Sequence, residues 1–376
     1  MAITSPCQGE DGSSILPYCS KTINNMSCRV LFILKRKEDF NPVKDSKIGL
    51  TTGLYNSASF MYQMLLDCGV ETKIVVVIDN NGIDKEVTEF KPTHVIIEAL
   101  WVVPTKFSVL CNLHPSVKWI IRLHSEIPFL ANEGMAMDWL GDYISYPNVL
   151  IAVNSPRTLN EIKFYLGYKM NWDDFEKDNR IIYLPNFYPQ DYKTKTYTAN
   201  DKDIIDIGCF GAVRPLKNHI MQAIAAVKFA DSINKKLRFH VNGGRVEQKG
   251  EPVMRNLIGF FSQLSDKGHQ LINHGWQDRE DFSNICAQMD IGMQVSITET
   301  FNIVGADIIS QGVPLVGSKE IPWIDSWFVA KATQTEEIYA ALLLTHQSPN
   351  LNVTKNQKEL TIYTNKTKDI WLEYFK

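Results

Sequence analysis

There is no Cys-x-x-Cys pair in this sequence. Its seven cysteines (Cys7, Cys19, Cys28, Cys68, Cys111, Cys209 and Cys286) are odd in number and widely spaced. That argues against both a disulfide framework and a structural zinc site. No run approaches the roughly 18 continuous apolar residues that a membrane-spanning helix needs, so no integral membrane association is expected. Neither sign of charge dominates: 39 Lys and Arg stand against 42 Asp and Glu, a formal net charge of -3. A protein that coats duplex DNA needs a basic excess. That class is excluded, and a local basic groove is not. Residues 1–27 are polar, without periodicity and without the apolar core of a signal peptide. They read as a loose arm, and the expected compartment is cytoplasmic and reducing. What is present is the balance of a globular protein, 44% hydrophobic and 22% charged over 376 residues, enough chain for two or three domains.

Short apolar runs recur from Arg29 onward. They lie at Arg29–Leu34, Thr72–Ile78, His94–Leu100, Val117–Leu123, Asn148–Val153 and Arg180–Leu184. Each is continuous rather than alternating, the mark of a strand buried on both faces of a parallel sheet. Helical patterns separate them. Ser57–Cys68 puts Phe60, Met61, Met64 and Leu65 on one face and stops at Gly69. A polar, turn-rich stretch follows Phe187, and the linker is assigned to residues 191–203. The pattern then restarts at Ile204–Phe210, Leu237–Val241, Gln270–Asn273, Asp290–Val295 and Val313–Gly317. Between the first two runs, Asn218–Ala230 has helical spacing, with Asn218 the expected N-cap. The fold class is α/β: two Rossmann-like, doubly wound parallel-sheet domains, residues 28–190 and 204–359, facing a central cleft where ligands of such folds bind.

The most informative stretch is Val295–Trp323, VSITETFNIVGADIISQGVPLVGSKEIPW. A strand ends near Ser296, a loop carries Glu299-Thr-Phe-Asn302, and a helix starts at Ile303 or Val304. Glu299 and Asp307 are separated by seven residues. Exposed backbone amides and the helix dipole suit phosphate or sugar oxygens, and an ionised carboxylate accepts paired hydroxyl bonds. Taken alone, Glu-x7-Asp is more often a solvated loop acid followed by an ordinary first-turn helix acid.

The stretch resembles the Glu-x7-Glu signature of retaining GT-B glycosyltransferases, the family-4-like group (glycosyl transferases group 1) that uses nucleotide sugars. The likeness runs on to Gly312-Val-Pro-Leu-Val316. It departs at Asp307, one methylene shorter than the usual Glu, and at Asn302, where many members have Gly. The resemblance implies that Glu299 orients the donor sugar and Asp307 contacts the ribose. The amides of Thr300, Phe301, Asn302 and Ile303 would meet the leaving diphosphate. Phe210-Gly-Ala-Val-Arg-Pro-Leu-Lys-Asn218 looks like the family's Gly…Arg…Lys turn, which implies Gly211 beside the phosphates and Lys217 and Arg214 as the cations holding them. A solvated basic turn is the equal alternative on those residues alone. Ile121-Arg-Leu-His-Ser-Glu126 resembles the strand end whose histidine lies near the donor sugar, which implies His124; a lone strand-end histidine is otherwise more often structural. Ile48–Asn56 looks like the glycine-containing loop that lets backbone approach the donor phosphates or acceptor, which implies Gly53. No Gly-Lys-Ser/Thr follows, so it is not a Walker P-loop. Asn273-His-Gly-Trp276 resembles the turn beside the nucleotide base. There Gly275 would read the base edge by its backbone, and Trp276 is either a stacking wall or a core aromatic. The family's C-terminal crossover implies that residues 360–376 return to the first domain.

The expected activity is therefore a retaining transfer of a hexose or pentose from a nucleotide diphosphate-sugar donor to a hydroxyl acceptor. Glu299, His124, Lys217 and Arg214 form the catalytic set. The resemblance assigns no protein base, because the departing phosphate takes the acceptor proton. No metal is expected, since no Asp-x-Asp ends a strand, and no cofactor beyond the nucleotide-sugar co-substrate. The acceptor stays open among a small molecule, a polysaccharide, a protein and a modified nucleic-acid base, the last unsupported by any dense Lys and Arg cluster. The alternative is a non-catalytic cytoplasmic nucleotide-sugar-binding protein of the same fold, which Asp307 favours. A sugar-nucleotide epimerase would need further acids that the motifs do not supply.

Overall fold

The computed structural model describes residues 28–36, 53–170, 179–195, 197, 202–247, 249–275 and 277–376. The N-terminal arm 1–27, residues 48–52 of the glycine-containing loop and Trp276 lie outside the described residues.

The first half alternates strand and helix: β1 (Arg29–Lys35), α1 (Gly53–Asp67), β2 (Glu71–Val77), α2 (Ile83–Phe90), β3 (His94–Glu98) and α3 (Phe107–Leu113). It continues through β4 (Lys118–Arg122), α4 (Ile127–Leu130), α5 (Ala136–Ile144), β5 (Val149–Val153), α6 (Pro156–Lys169) and β6 (Ile181–Tyr183). The strands form one parallel sheet in the order β2-β1-β3-β4-β5-β6. Successive residues point to opposite faces of a strand, and both faces are dry. Leu31 and Ile33 of β1 join the cluster under α2, α3, α5 and α6. Val30 and Phe32 join Met61 and Leu65 of α1 on the other face.

The second half repeats the plan. Its elements are β7 (Ile204–Val213), α7 (His219–Ser232), β8 (Lys236–Val246), α8 (Glu251–Ser262), β9 (Gln270–Asn273) and α9 (Arg279–Gln288). Then come β10 (Ile291–Gln294), α10 (Ile303–Ser310), β11 (Leu315–Gly317), α11 (Thr335–Gln347) and α12 (Pro349–Tyr374). The parallel order is β11-β10-β7-β8-β9.

α12 runs from the second sheet back to the first. Trp371 is fully buried in the α1-side cluster, stacks on Phe32 at 6.1 Å between ring centroids and donates from Nε1 to the Pro185 carbonyl at 2.8 Å. α1 alone leaves part of that sheet face uncovered, and Trp371 and Phe375 complete it. The segment after β6 is packed as well: Tyr188 is buried with Phe210, Phe301 and Trp323, and the Lys193 N–H donates to the Ser310 carbonyl at 2.7 Å.

Both sheets change winding direction at their first strand. β1 lies between β2 and β3, and β7 between β10 and β8. The crevice that such a reversal leaves beyond the carboxyl ends of the strands is where open α/β sheets take ligands. No helix of the described residues is long and apolar enough to cross a membrane.

Two local expectations need correction. Asn218 does not cap α7 with its side chain. It adopts a left-handed backbone (φ 62°), and its Nδ2 donates instead to the carbonyls of Val295 and Ala332 at 3.0 and 2.7 Å. Asparagine tolerates that conformation where most residues do not. Gly53 lies in the first turn of α1 rather than in a loop, where a Cβ would meet Ile303 Cγ2 at 3.5 Å.

Candidate functional site

A cavity of about 310 Å³ opens between the carboxyl ends of the two sheets. Of the residues singled out from sequence, Glu299, His124, Lys217, Arg214, Thr300, Ile303, Asp307, Gly211, Gly275 and Gly53 line it. The side chains of Phe301 and Asn302 lie behind its wall and are buried at 1% and 7% exposure. The backbone of Asn302 is left-handed (φ 62°), and its Oδ1 accepts the Gly305 N–H at 2.7 Å, so Asn302 is the side-chain cap of α10. Asparagine, like glycine, adopts positive φ readily. Asparagine also satisfies one helix amide, which leaves the first-turn amides of Ile303 and Val304 without an intrahelical acceptor.

The second domain supplies the charge. The turn after β7 brings Lys217 to Glu299, the acid in the loop between β10 and α10, and the two are directly bonded. Gln222 Nε2 holds the Lys217 carbonyl at 2.8 Å, while its Oε1 accepts the Val295 N–H at 2.8 Å, so one side chain ties both turns. Arg214 pairs with Glu247 and lays its guanidinium over Phe129 of α4, 5.5 Å from the ring centroid. Gly211 (φ 105°) gives its N–H to Asn242 Oδ1 at 2.9 Å, so it offers the cavity an absent side chain rather than a spare amide. Among the described residues other than its chain neighbours, nothing lies within 4 Å of a Cβ built on Gly275.

Asp307 is tied into a cluster that the sequence did not announce. Its Oδ1 accepts the Tyr188 hydroxyl at 2.7 Å and faces Arg279 Nη1 at 3.3 Å. The Arg279 guanidinium in turn sits 4.5 Å from the ring centroid of Phe60 on α1, across the domain boundary. Burial drives the Asp307 carboxyl above its ordinary range, an effect that Arg279 and Tyr188 only partly offset. Burial, with Asp307 adding to it, pushes the Tyr188 phenol far up. Arg279 opens α9 and carries no motif spacing, so only the folded chain links it to Asp307.

The first domain contributes His124, just past β4. Its Nε2 bonds Glu98 at the end of β3, and both Glu98 oxygens face Arg122 Nη1 at 3.2 and 3.3 Å. Glu126, also on the cavity wall, accepts from Ser155 Oγ at 2.7 Å and pairs with Arg157. Glu98 was passed over in the sequence, although a carboxylate ending a buried apolar run was a readable signal.

Contacts across the cleft hold the domains together. The Thr300 hydroxyl donates to the His124 carbonyl at 3.0 Å and accepts from Asn154 Nδ2 at 3.2 Å. Arg157 of α6 also reaches Glu320 at 2.5 Å. Among the described residues, no three His, Cys, Asp or Glu side chains gather into a group that could hold a metal ion.

No protein-family model matches this sequence, and no curated protein matches it by sequence. Solved structures do match in three dimensions. Anabaena HepE in complex with UDP and glucose superposes with a TM-score of 0.59 at 11% identity, over 92% of this chain and 96% of that one. An α,α-trehalose-phosphate synthase (UDP-forming) from Burkholderia vietnamiensis gives 0.64 at 8% identity, over 94% and 97%. The N-terminal domain of Candida albicans trehalose-6-phosphate phosphatase gives 0.62 at 10% identity, over 94% and 98%. At these identities the likeness is one of fold: two Rossmann-like domains in the GT-B arrangement.

Proposed function

We propose that this protein is a retaining glycosyltransferase that takes a sugar from a nucleoside diphosphate donor and passes it to a hydroxyl acceptor. The observation that carries the reading is the convergence, in one interdomain cavity, of Lys217, Arg214 and the first turn of α10 with Glu299 and His124. A transfer of this kind needs a leaving diphosphate neutralised and a cationic sugar ring oriented, so positioning and electrostatics dominate. In this reading Lys217, Arg214 and the amides at the start of α10 meet the diphosphate. Glu299 accepts from donor-sugar hydroxyls, His124 faces the sugar from the other domain, and Gly53, Gly211 and Gly275 leave room for backbone approach. UDP is the first nucleotide to test, because HepE was solved with UDP and glucose and the trehalose-phosphate synthase is UDP-forming.

The acid pair also favours a second reading. Asp307 is engaged by Tyr188 and Arg279 and Glu299 by Lys217, an arrangement that suits a protein that binds nucleotide sugars without turning them over. A thermal-shift panel of nucleoside diphosphates and their sugars tests both, since a ligand of the native state raises its apparent stability. Slow release of UDP from UDP-glucose without acceptor supports the enzyme; a shift with no release supports the binding protein. No shift with any nucleotide would refute the donor assignment.

A further inference from the structure

We infer that Glu98 is a positioning residue that fixes His124 as a hydrogen-bond acceptor toward the cavity, so that the imidazole reads a hydroxyl group of the bound sugar; this rests on the transferase reading. Glu98 and Arg122 are wholly buried. Arg122 is anchored on all sides: Nε donates to the Leu184 carbonyl at 3.2 Å, Nη2 donates to Asn186 Oδ1, and the guanidinium lies 5.2 Å from the Trp371 ring centroid. Its Nη1 faces both oxygens of Glu98. Glu98 is thus an ionised carboxylate held by a fixed cation. Burial would raise its carboxyl, and Arg122 and His124 together outweigh that and bring it below its ordinary range.

An ionised carboxylate can only accept hydrogen bonds. The His124 Nε2 that contacts it must therefore carry the proton, and in a neutral ring Nδ1 is then a bare acceptor. The ring lines the cavity with its side chain 17% exposed. Burial holds His124 below its ordinary value, Glu98 pulls the other way, and Arg122 adds to the depression. The remaining charged groups around the cavity are Lys217 paired with Glu299, Arg214 with Glu247, Glu126 with Arg157 and Arg279 with Asp307, together with Asp278, which accepts the Asp281 N–H at 2.9 Å at the start of α9. The neutral acceptor form therefore holds at neutral pH. Acidification through the lowered His124 value adds the second proton, turns Nδ1 into a donor and removes the contact. A backbone detail agrees with a held geometry: Ala99, immediately after Glu98, sits at φ 69° with its N–H on the Arg122 carbonyl at 3.0 Å.

Histidine side-chain ¹⁵N NMR of the full chain tests this, with His124→Gln identifying the signals. The expected spectrum at pH 7 shows a protonated Nε2 and a bare Nδ1 that shifts on addition of UDP-glucose. A proton on Nδ1 in the free protein overturns the inference. If no nucleotide sugar binds, the transferase reading fails by the thermal-shift panel, while the free-protein spectrum still decides the tautomer. Glu98→Gln supplies the second measurement. Its carbonyl can still accept from Nε2 but without charge, so kcat/KM should fall roughly tenfold and the acid limb of its pH profile should move to lower pH. A merely structural role lowers stability and leaves the acid limb in place, which would also overturn the inference.

Discussion

Replacing Glu299 with glutamine should move nucleotide affinity and turnover in opposite directions. Lys217 is bonded to Glu299, and their side chains are 21% and 8% exposed. A diphosphate approaching Lys217 must compete with a carboxylate of its own sign. A charge-assisted hydrogen bond is worth about 1.5–3 kcal/mol, and part of the gain from freeing Lys217 is lost to the solvent that reaches it. UDP affinity of Glu299→Gln should therefore rise, by up to roughly tenfold. Turnover should behave otherwise. If the carboxylate accepts from donor-sugar hydroxyls while positive charge develops at the ring, its loss removes a similar ~1.5–3 kcal/mol from the transition state. That is a rate loss of roughly ten- to a hundredfold. Calorimetric titration of UDP into the native and variant proteins, beside the rate of UDP release from UDP-glucose, reads both quantities. A variant that binds UDP more weakly would show that Lys217 is not held back by Glu299. Unchanged turnover would place Glu299 away from the reacting sugar.

Three further outcomes follow from buried groups. Asp307→Asn keeps an acceptor for the Tyr188 hydroxyl and removes a charge that burial disfavours, so its urea midpoint should correspond to native stability within about 1 kcal/mol; Asp307→Ala strands Tyr188 and Arg279 and should cost about 1–3 kcal/mol. His219 is 1% exposed, neither ring nitrogen has a hydrogen-bond partner among the described residues, and burial together with the Lys217 charge lowers it to about 4. The unfolded chain thus takes up this proton first as pH falls below about 6.5, so the native state should lose about 2 kcal/mol between pH 7 and pH 5 through this group, a loss absent from His219→Leu in urea titrations at the two pH values. Trp371→Ala should cost about 3–5 kcal/mol in the same assay, because it empties a fully buried site where α12 seals the first sheet; a cost below 1 kcal/mol would mean that α12 does not hold that face.

Much of the architecture was readable from the chain because parallel sheets write themselves locally. Among the described residues, all eleven strands overlap the apolar runs, and α1 buries Met61, Met64 and Leu65 as its spacing demands. Strand ends were less legible: β7 and β8 run on to Val213 and Val246, through glycines and polar residues that the apolar signal does not mark. Ten residues of the cavity wall were also named by the family resemblance, among them Glu299, Lys217 and His124, which follow strands of the two sheets, where a doubly wound sheet places its ligand.

Pairing could not be read in the same way. Asp307 lies 28 positions from Arg279 and 119 from Tyr188, and nothing in the spacing says that a tyrosine after β6 and the first residue of α9 enclose it. His124 meets Glu98 because β3 and β4 are neighbours, a fact of strand order. Thr300 meets Asn154 only where the two domains touch. By itself the sequence determined the period of each element, the strand-then-turn positions of the polar residues and hence the existence of a cleft, because these depend on neighbours a few residues away. Which carboxylate is held by which cation, and which acid is left facing the cavity, was decided by tertiary structure alone, because a buried charge takes whatever partner the packing of distant segments brings within hydrogen-bond reach.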